Sequence, residues 1–466
     1  MERKLLLFTL PLFLISCVSA PKTKKISVGE PAPDKWSAGE TVAGQIDSTW
    51  WMHFGDARLD SLVDEALLKN FNLQAAAASL DAAVAQAKIA GASRFPQLNA
   101  GMTASRVKQN FIGLPIPFVT EKVLTSTNTI YSPSLNFSWE LDLWGRIRSG
   151  QSAALADVEA SQAELAGAKL SVTAQVVKTW FAAIESRRQV ELVRATAESY
   201  RLSSEQIQDR YERGLRRALE VRLALSNLAA SEAMLSQIQA QHEAIVRQLE
   251  ILLARYPSAA LQLSADLPDL PADVPAGLPA ELISRRTDVV AAERRLVASD
   301  ARIRQAKAAL YPRISLTGSA GTSSNEFGDI LDGDFSVWSI VGNLLQPLFQ
   351  GGRLRAGVDL AKSQADMALA QYGQTVLSAY RDVESSLANE RFLRQRQEAL
   401  ETATEQAVAA RQLAEDQYAN GIIDLITMLD ARRSAFASES QLLTVRRERL
   451  DARIDLYLAL GGGFSR

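Results

Sequence analysis

Two kinds of hydrophobic spacing share this chain. Tyr131, Pro133, Leu135, Phe137, Trp139, Leu141 and Leu143 alternate with Ser132, Ser134, Asn136, Ser138, Glu140 and Asp142, a period of two that predicts a strand with one apolar face. A preceding strand is predicted around Leu98 to Arg106, where Leu98, Ala100, Met102 and Ala104 alternate. Further on, Ile314, Leu316 and Ala320 mark a strand from Ile314 to Thr322, and Trp338, Ile340, Gly342 and Leu344 mark a fourth. Each pair reads as a hairpin, with loops at about 107–129 and 323–334. Elsewhere the period is helical. Arg146 to Tyr211 and Arg353 to Tyr418 each run 65 steps without proline and are rich in Ala, Gln, Glu, Arg and Leu. At about 1.5 Å per residue such a helix reaches roughly 100 Å, several times the width of a compact domain, unless it is broken into stacked pieces. A returning helix carries Leu429, Phe436, Leu443, Leu450 and Tyr457 at seven-residue spacing, as Val221, Leu228, Leu235, His242 and Leu249 do earlier. That recurrence predicts coiled-coil packing of two arms around a turn at Gly214 or Gly421.

The two halves repeat each other. Gln86-Ala87-Lys88 and Pro96 recur as Gln305-Ala306-Lys307 and Pro312, with the prolines 216 positions apart. Gly145-Arg146, Tyr211, Gly214 and Leu253 recur as Gly352-Arg353, Tyr418, Gly421 and Leu460, all 207 positions apart. The change of offset places a length difference between the proline and the Gly-Arg pair, in a loop, and fixed length afterwards means packed structure.

The chain's start changes the picture. Arg3 and Lys4 precede an apolar run from Leu5 to Ile15, too short to span a bilayer, so residues 1–16 are expected to be a signal peptide. Leu14-Ile15-Ser16-Cys17 resembles the lipobox of bacterial lipoproteins, and Cys17, the one cysteine, is expected to be acylated. With that resemblance comes a sorting rule in which a residue other than Asp after the cysteine favours the outer membrane; here it is Val18. Beyond the leader no apolar stretch reaches eighteen residues, so any route through a bilayer uses strands. Strands of about ten residues with aromatic-rich outer faces are the signature of a transmembrane barrel, which needs at least about eight of them and no open edge. Four per chain cannot close. Three chains would supply twelve strands and six helical hairpins, although counting alone does not separate a trimer from a tetramer. A formal charge of −2, with Lys and Arg interspersed among Asp and Glu, argues against a nucleic-acid partner.

Taken jointly and in order, a set of landmarks resembles the TolC-like outer-membrane efflux proteins, and more closely the OprM/NodT-like lipoprotein branch serving resistance-nodulation-division (RND) pumps. They are Trp50-Trp51, Phe54, Asp56, Leu59 and Leu62, then Asn70, Leu73 and Pro96, then Gly145-Arg146, Tyr211 and Gly214. The series continues with Arg285-Arg286-Thr287-Asp288, Tyr418 and Gly421, Leu429-Asp430-Ala431, and Leu460-Gly461-Gly462-Gly463. The resemblance implies a mixed α and β membrane protein: a homotrimer whose twelve-stranded β-barrel in outer-membrane lipid continues into a periplasmic helical barrel. It implies a passive gated exit duct for small molecules such as drugs or toxic compounds, with no cofactor. Its partners would be a periplasmic adaptor (membrane fusion) protein and an inner-membrane RND-type pump.

Carried over by position, the family's apolar and acidic constriction falls on Ile426 and Asp430, four apart on one helix face, with Ile423 and Thr427 where relatives have basic or polar residues. Three carboxylates at a throat would disfavour anions. Tyr211, Gly214, Tyr418 and Gly421 are expected to shape the tips and meet the adaptor. Two departures stand out. Thr287 replaces the family's usual proline, which would relax the start of the second repeat, and Arg213, Arg216 and Arg217 make the first tip basic.

The expected organisation is therefore a signal peptide (1–16), an acylated N-terminal segment (17–55), repeat 1 (56–265), a Pro-rich linker (266–282) and repeat 2 (283–466). Repeat 1 would hold a β-hairpin at about 97–144 and a tip near 211–219; repeat 2 would hold a hairpin at about 313–349 and a tip near 418–426. Pro268, Pro271, Pro275 and Pro279 lie in the linker. Catalytic chemistry finds no footing. His242 sits on the seven-residue seam as a packed residue, His53 has no neighbouring Cys or His, and Gly461-Gly462-Gly463 follows a helix, the wrong side for phosphate. Neither a metal site nor turnover is expected. Two rival readings remain: the same duct serving protein secretion, and a lipid-anchored coiled-coil scaffold without a pore, for which two matched alternating hairpins have no use.

Overall fold

The register of the sheet turns four separate alternations into one apolar face. In the computed structural model, which describes residues 35–38, 49–112, 123–271, 274 and 285–462, strands β1 (Gln97–Phe111), β2 (Leu124–Leu141), β3 (Arg313–Thr322) and β4 (Ser336–Leu345) form an antiparallel sheet in that order. Leu98 faces Phe137, which faces Gly318, which faces Ile340; the next row is Ala100, Leu135, Ala320 and Trp338. Between them runs a polar row of Asn99, Asn136, Ser319 and Ser339, with the two serine hydroxyls 3.0 Å apart. Cross-strand neighbours share a face, so the period of two in each strand is enough to segregate the sheet.

Pro133 interrupts the β2–β3 ladder because it has no N–H to donate, and pairing resumes where Tyr131 and Ser324 exchange bonds of 2.8 and 3.1 Å. Gly321 fits beside it since a Cβ there would stand 2.1 Å from the Pro133 carbonyl oxygen.

The strands β1 and β2 run further than their apolar alternation, narrowing the expected loop at 107–129. Lys108, Gln109 and Asn110 pair with Thr127, Ser126 and Thr125. Ladder hydrogen bonds need no apolar face, so polar residues on both sides hid this extension from pattern reading. At the other end β2 stops at Leu141, because the Asp142 carboxylate leaves the sheet to accept from Ile147 N (2.9 Å) and Arg148 N (2.8 Å) at the start of the next helix.

Both long helices are continuous. Helices α1 (Ala57–Lys69) and α2 (Phe71–Ala92) precede the first hairpin; α3 (Arg146–Glu212) and α4 (Ala218–Leu252) follow it. In the second half, α5 (Thr287–Ala308) precedes the hairpin, and α6 (Arg353–Ala419) and α7 (Leu425–Ala459) follow. The duplication keeps the lengths of these helices: 22 residues in α2 and α5, 67 in α3 and α6, 35 in α4 and α7. Gly145 and Gly352 open α3 and α6 with φ of +76° and +83°. The seven-residue series is half-buried from Val221 to His242 and at Phe436 and Leu443, and buried at Leu249, Leu429, Leu450 and Tyr457.

One core joins the repeats, built on Trp50, Trp180, Phe181, Leu249, Leu253, Ile454 and Tyr457, with Trp50 and Tyr457 stacked at 5.0 Å. The landmark residues Asp56 and Asn70 are helix caps. Asp56 accepts from Arg58 N and Leu59 N and also from Trp180 Nε1 (2.9 Å), while Asn70 accepts from Asn72 N and Leu73 N and donates to the Leu252 carbonyl (2.8 Å). Helix α5 begins at Thr287 without a proline; Arg286 holds that end by donating to Asp288 (2.7 Å), Asp382 (3.2 Å) and the Ala459 carbonyl (3.2 Å). The described part of the Pro-rich stretch is also tied down, with Arg188 Nε donating to the Asp266 carboxylate (2.7 Å) and Arg453 to the Pro271 carbonyl (2.8 Å).

Candidate functional site

The two helical hairpins end in the same turn. In the first, Leu215 N donates to the Arg210 carbonyl (2.8 Å) and Gly214 N to that of Tyr211 (2.8 Å); in the second, Ile422 N donates to Gln417 O (2.9 Å) and Gly421 N to Tyr418 O (3.1 Å). Gly214 and Gly421 take φ of +74° and +73°, the left-handed residue that this helix ending requires. The returns differ. Asp424 caps α7 by accepting from Thr427 N (2.8 Å), which holds its carboxyl below the usual range, whereas Arg217 starts α4 with no side-chain cap.

Between the tips lies a small shared core of Tyr200, Ile207, Ala224, Leu425, Met428 and Leu429, with Tyr418 and Ile423 packed against it. The basic first tip is largely neutralised: Arg213 pairs with Asp209 (2.9 Å) and Arg216 with Glu220 (3.4 Å). Arg216 also covers the ring of Tyr418, so the tips touch through a cation and an aromatic face. Burial pushes the Tyr418 phenol up, the nearby Arg216 opposing it. Tyr211, its counterpart, is 44 % exposed.

Burying Leu425, Met428 and Leu429 turns the other side of α7 outward. Ile426 is 53 % exposed, and Asp430 beside it forms an ion pair with Arg433, both charged side chains standing in solvent. Ile426 and Asp430 thus share an exposed face, as their spacing requires. Sequence reasoning missed Arg433, although it stands three residues beyond Asp430, a spacing that places partners together on a helix. It also missed Arg432, which points the other way into the junction of α3, α6 and α7. Cys17 and Gly463 lie outside the described residues.

Each histidine lies beside a hydroxyl. His242 Nδ1 lies 2.8 Å from Ser186 Oγ between α3 and α4, and burial lowers its pKa; His53 Nδ1 lies 3.5 Å from the Tyr457 hydroxyl. Among the described residues no helix is long and apolar enough to cross a membrane.

Residues 62–255 and 278–462 match the model of the outer membrane efflux protein family, one segment in each repeat. The outer membrane protein OprJ of Pseudomonas aeruginosa is 35 % identical over 459 residues, covering 97 % of this chain and 94 % of that one. The pyoverdine export outer membrane protein OpmQ of Pseudomonas putida is 30 % identical over 465 residues, covering 100 % and 98 %. Among solved structures, the open state of the Neisseria gonorrhoeae MtrE outer membrane channel superposes with a TM-score of 0.82 at 28 % identity, covering 97 % and 99 %. The mixed α and β architecture with its internal repeat is that of the TolC-like outer-membrane channels. This chain belongs to the outer membrane efflux protein family, and it is the outer-membrane exit duct of an efflux pump.

Proposed function

We propose that three copies of this chain close their sheets into one twelve-stranded barrel, and that six helical hairpins continue it as a coiled-coil tunnel across the periplasm. One observation carries this reading. The sheet has a contiguous apolar face and ends on β1 and β4, which pair on one side only among the described residues, while Trp338, Ile340 and Leu344 stand exposed. Open edges and bare aromatics are stable only when other strands and lipid cover them. At the junction of sheet and helices, Trp144 stacks on Tyr311 at 5.1 Å and donates to the Pro312 carbonyl, a ring pair suited to the membrane–water boundary.

Acylated Cys17 anchors each copy in outer-membrane lipid, ahead of the two repeats and their linker in the order given above. The tip turns at Tyr211, Gly214, Tyr418 and Gly421 meet a periplasmic adaptor that links the duct to an inner-membrane RND-type pump. Ile426 and Asp430, with Arg433 beside them, form the constriction. The duct is passive and carries small molecules such as drugs or toxic compounds.

Purified protein in planar bilayers tests the reading: discrete low-conductance channels and a three-chain mass are expected, with higher conductance from Asp430→Ala. No conductance at all removes the duct, whereas an unaltered Asp430→Ala channel removes only the constriction.

A further inference from the structure

Arg432 is nearly buried, its side chain 14 % exposed, at a junction of three helices. From α7 its Nε donates to Glu415 Oε1 on α6 (2.6 Å) and its Nη1 to Ser203 Oγ on α3 (2.8 Å), and its guanidinium lies 5.9 Å from the ring centre of Tyr200 on α3. One side chain thereby joins both arms of the second hairpin to the long helix of the first repeat. It sits two residues from Asp430 and faces away from it, since two residues turn an α-helix by about 200°.

The duplication supplies an internal control. At the matching positions 207 residues earlier, Leu223 stands for Asp430, Leu225 for Arg432, Ser226 for Arg433 and Gln208 for Glu415. The first hairpin reaches the same helix lengths and the same glycine turn without any of these charges. Building a hairpin therefore does not require Arg432; it belongs to whatever the second hairpin alone does. That hairpin alone carries the exposed Asp430–Arg433 pair, beside Ile426, whose counterpart Leu219 is likewise apolar and exposed.

We propose that Arg432 is the positioning residue of the constriction: it pins α7 to α3 and so fixes where Ile426 and Asp430 stand, an assignment that rests on reading those two as the gate. Any widening that moves α7 away from α3 stretches the bond to Ser203 and exposes a guanidinium now held by a carboxylate, a hydroxyl and a ring. The fork geometry matters, because the three donors of a lysine sit on one nitrogen and cannot reproduce the spread of Nε and Nη1 between Glu415 and Ser203.

The test uses the full-length protein in planar bilayers, with Arg432→Gln, Arg432→Lys, Ser203→Ala and Asp430→Ala side by side and the thermal midpoint of each assembled channel recorded. Arg432→Gln is expected to raise conductance several-fold. Ser203→Ala, which removes one hydroxyl, should raise it less with an unchanged thermal midpoint, and Arg432→Lys should fall between wild type and Arg432→Gln. A purely structural arginine would lower the midpoint without opening the channel. If Asp430→Ala opens the duct while Arg432→Lys and Ser203→Ala conduct as wild type does, the proposal is overturned and the gate stands. If none of the four opens it, gate and pin fall together.

Discussion

The Arg216 guanidinium lies 4.9 Å from the centre of the Tyr418 ring, so a residue of the first tip caps a residue of the second. The Tyr418 hydroxyl is buried and has no hydrogen-bond partner among the described residues, so what Arg216 uses is the ring face alone. Arg216→Ala should loosen the junction by about 0.5–1 kcal/mol, seen as faster hydrogen exchange of the amides around Gly214 and Ile422. Tyr418→Phe should leave exchange unchanged. Equal acceleration by both variants would assign the contact to the hydroxyl instead.

Ala254 offers a gain in stability. It ends α4 with φ of +56°, and Arg255 N closes the turn onto the Glu250 carbonyl at 2.8 Å. Its counterpart 207 positions on is Gly461, with φ of +89° in the same kind of ending. A left-handed alanine costs about 1 kcal/mol that glycine does not. Ala254→Gly should raise the thermal midpoint, and a fall would mean that Ala254 contributes packing worth more than the strain.

Helix α5 makes a related case. Thr287 is its first residue, a position where proline loses no hydrogen bond and its fixed φ suits the helix. Thr287→Pro is expected to stabilise by about 0.4–1 kcal/mol through the unfolded chain. Circular dichroism melts of the two proteins decide it; destabilisation would show that the Thr287 hydroxyl, packed closely against Gly167, matters more.

Legibility followed range. The alternation in β2 and the glycine turns at Gly214 and Gly421 are local and were read directly, and duplication fixed the matched helix lengths. The apolar face of β1 was legible only as far as its apolar residues run, while the paired extension to Phe111 was not. Ile426 and Asp430 came from family resemblance. Their partner Arg433 follows from helical spacing, but the bond of Arg432 to Ser203 spans 229 positions, and no local pattern marks one arginine among many as the buried one.

Gly321 tests the sheet. A Cβ there would meet the Pro133 carbonyl oxygen at 2.1 Å, too close for any side-chain rearrangement to relieve since the obstacle is backbone. Gly321→Ala should separate β2 from β3 locally and reduce the amount of assembled channel in the outer membrane, measured by heat-modifiable mobility in gels. Gly342→Ala is the matched control, because nothing stands within 4 Å of the Cβ it would add. Equal assembly of both variants would show that the β2–β3 approach is not needed.

Asp451 and His242 respond to pH in opposite directions. Burial raises the Asp451 carboxyl to about 6, outweighing the attraction of Arg447 and Lys178, and one of its oxygens has no hydrogen-bond partner among the described residues. A carboxyl with a higher pKa folded than unfolded binds more protons in the folded state between the ordinary value of 3.8 and about 6, so its contribution improves as pH falls through that window. Above it the charge is a burden of up to about 3 kcal/mol. His242 is the reverse: its lowered pKa means that the unfolded chain takes the proton first, and stability is lost as pH falls below 6.5. Asp451→Asn should therefore raise the thermal midpoint at pH 7.5, with the advantage shrinking below pH about 6 and gone near pH 4, where Asp451 is itself neutral. His242→Gln should flatten the decline just below pH 6.5 without altering the Asp451 difference. If Asp451→Asn lowers the midpoint at pH 7.5, the bonds to Arg447 outweigh the desolvation, and the buried carboxylate holds α7 in place instead of straining it.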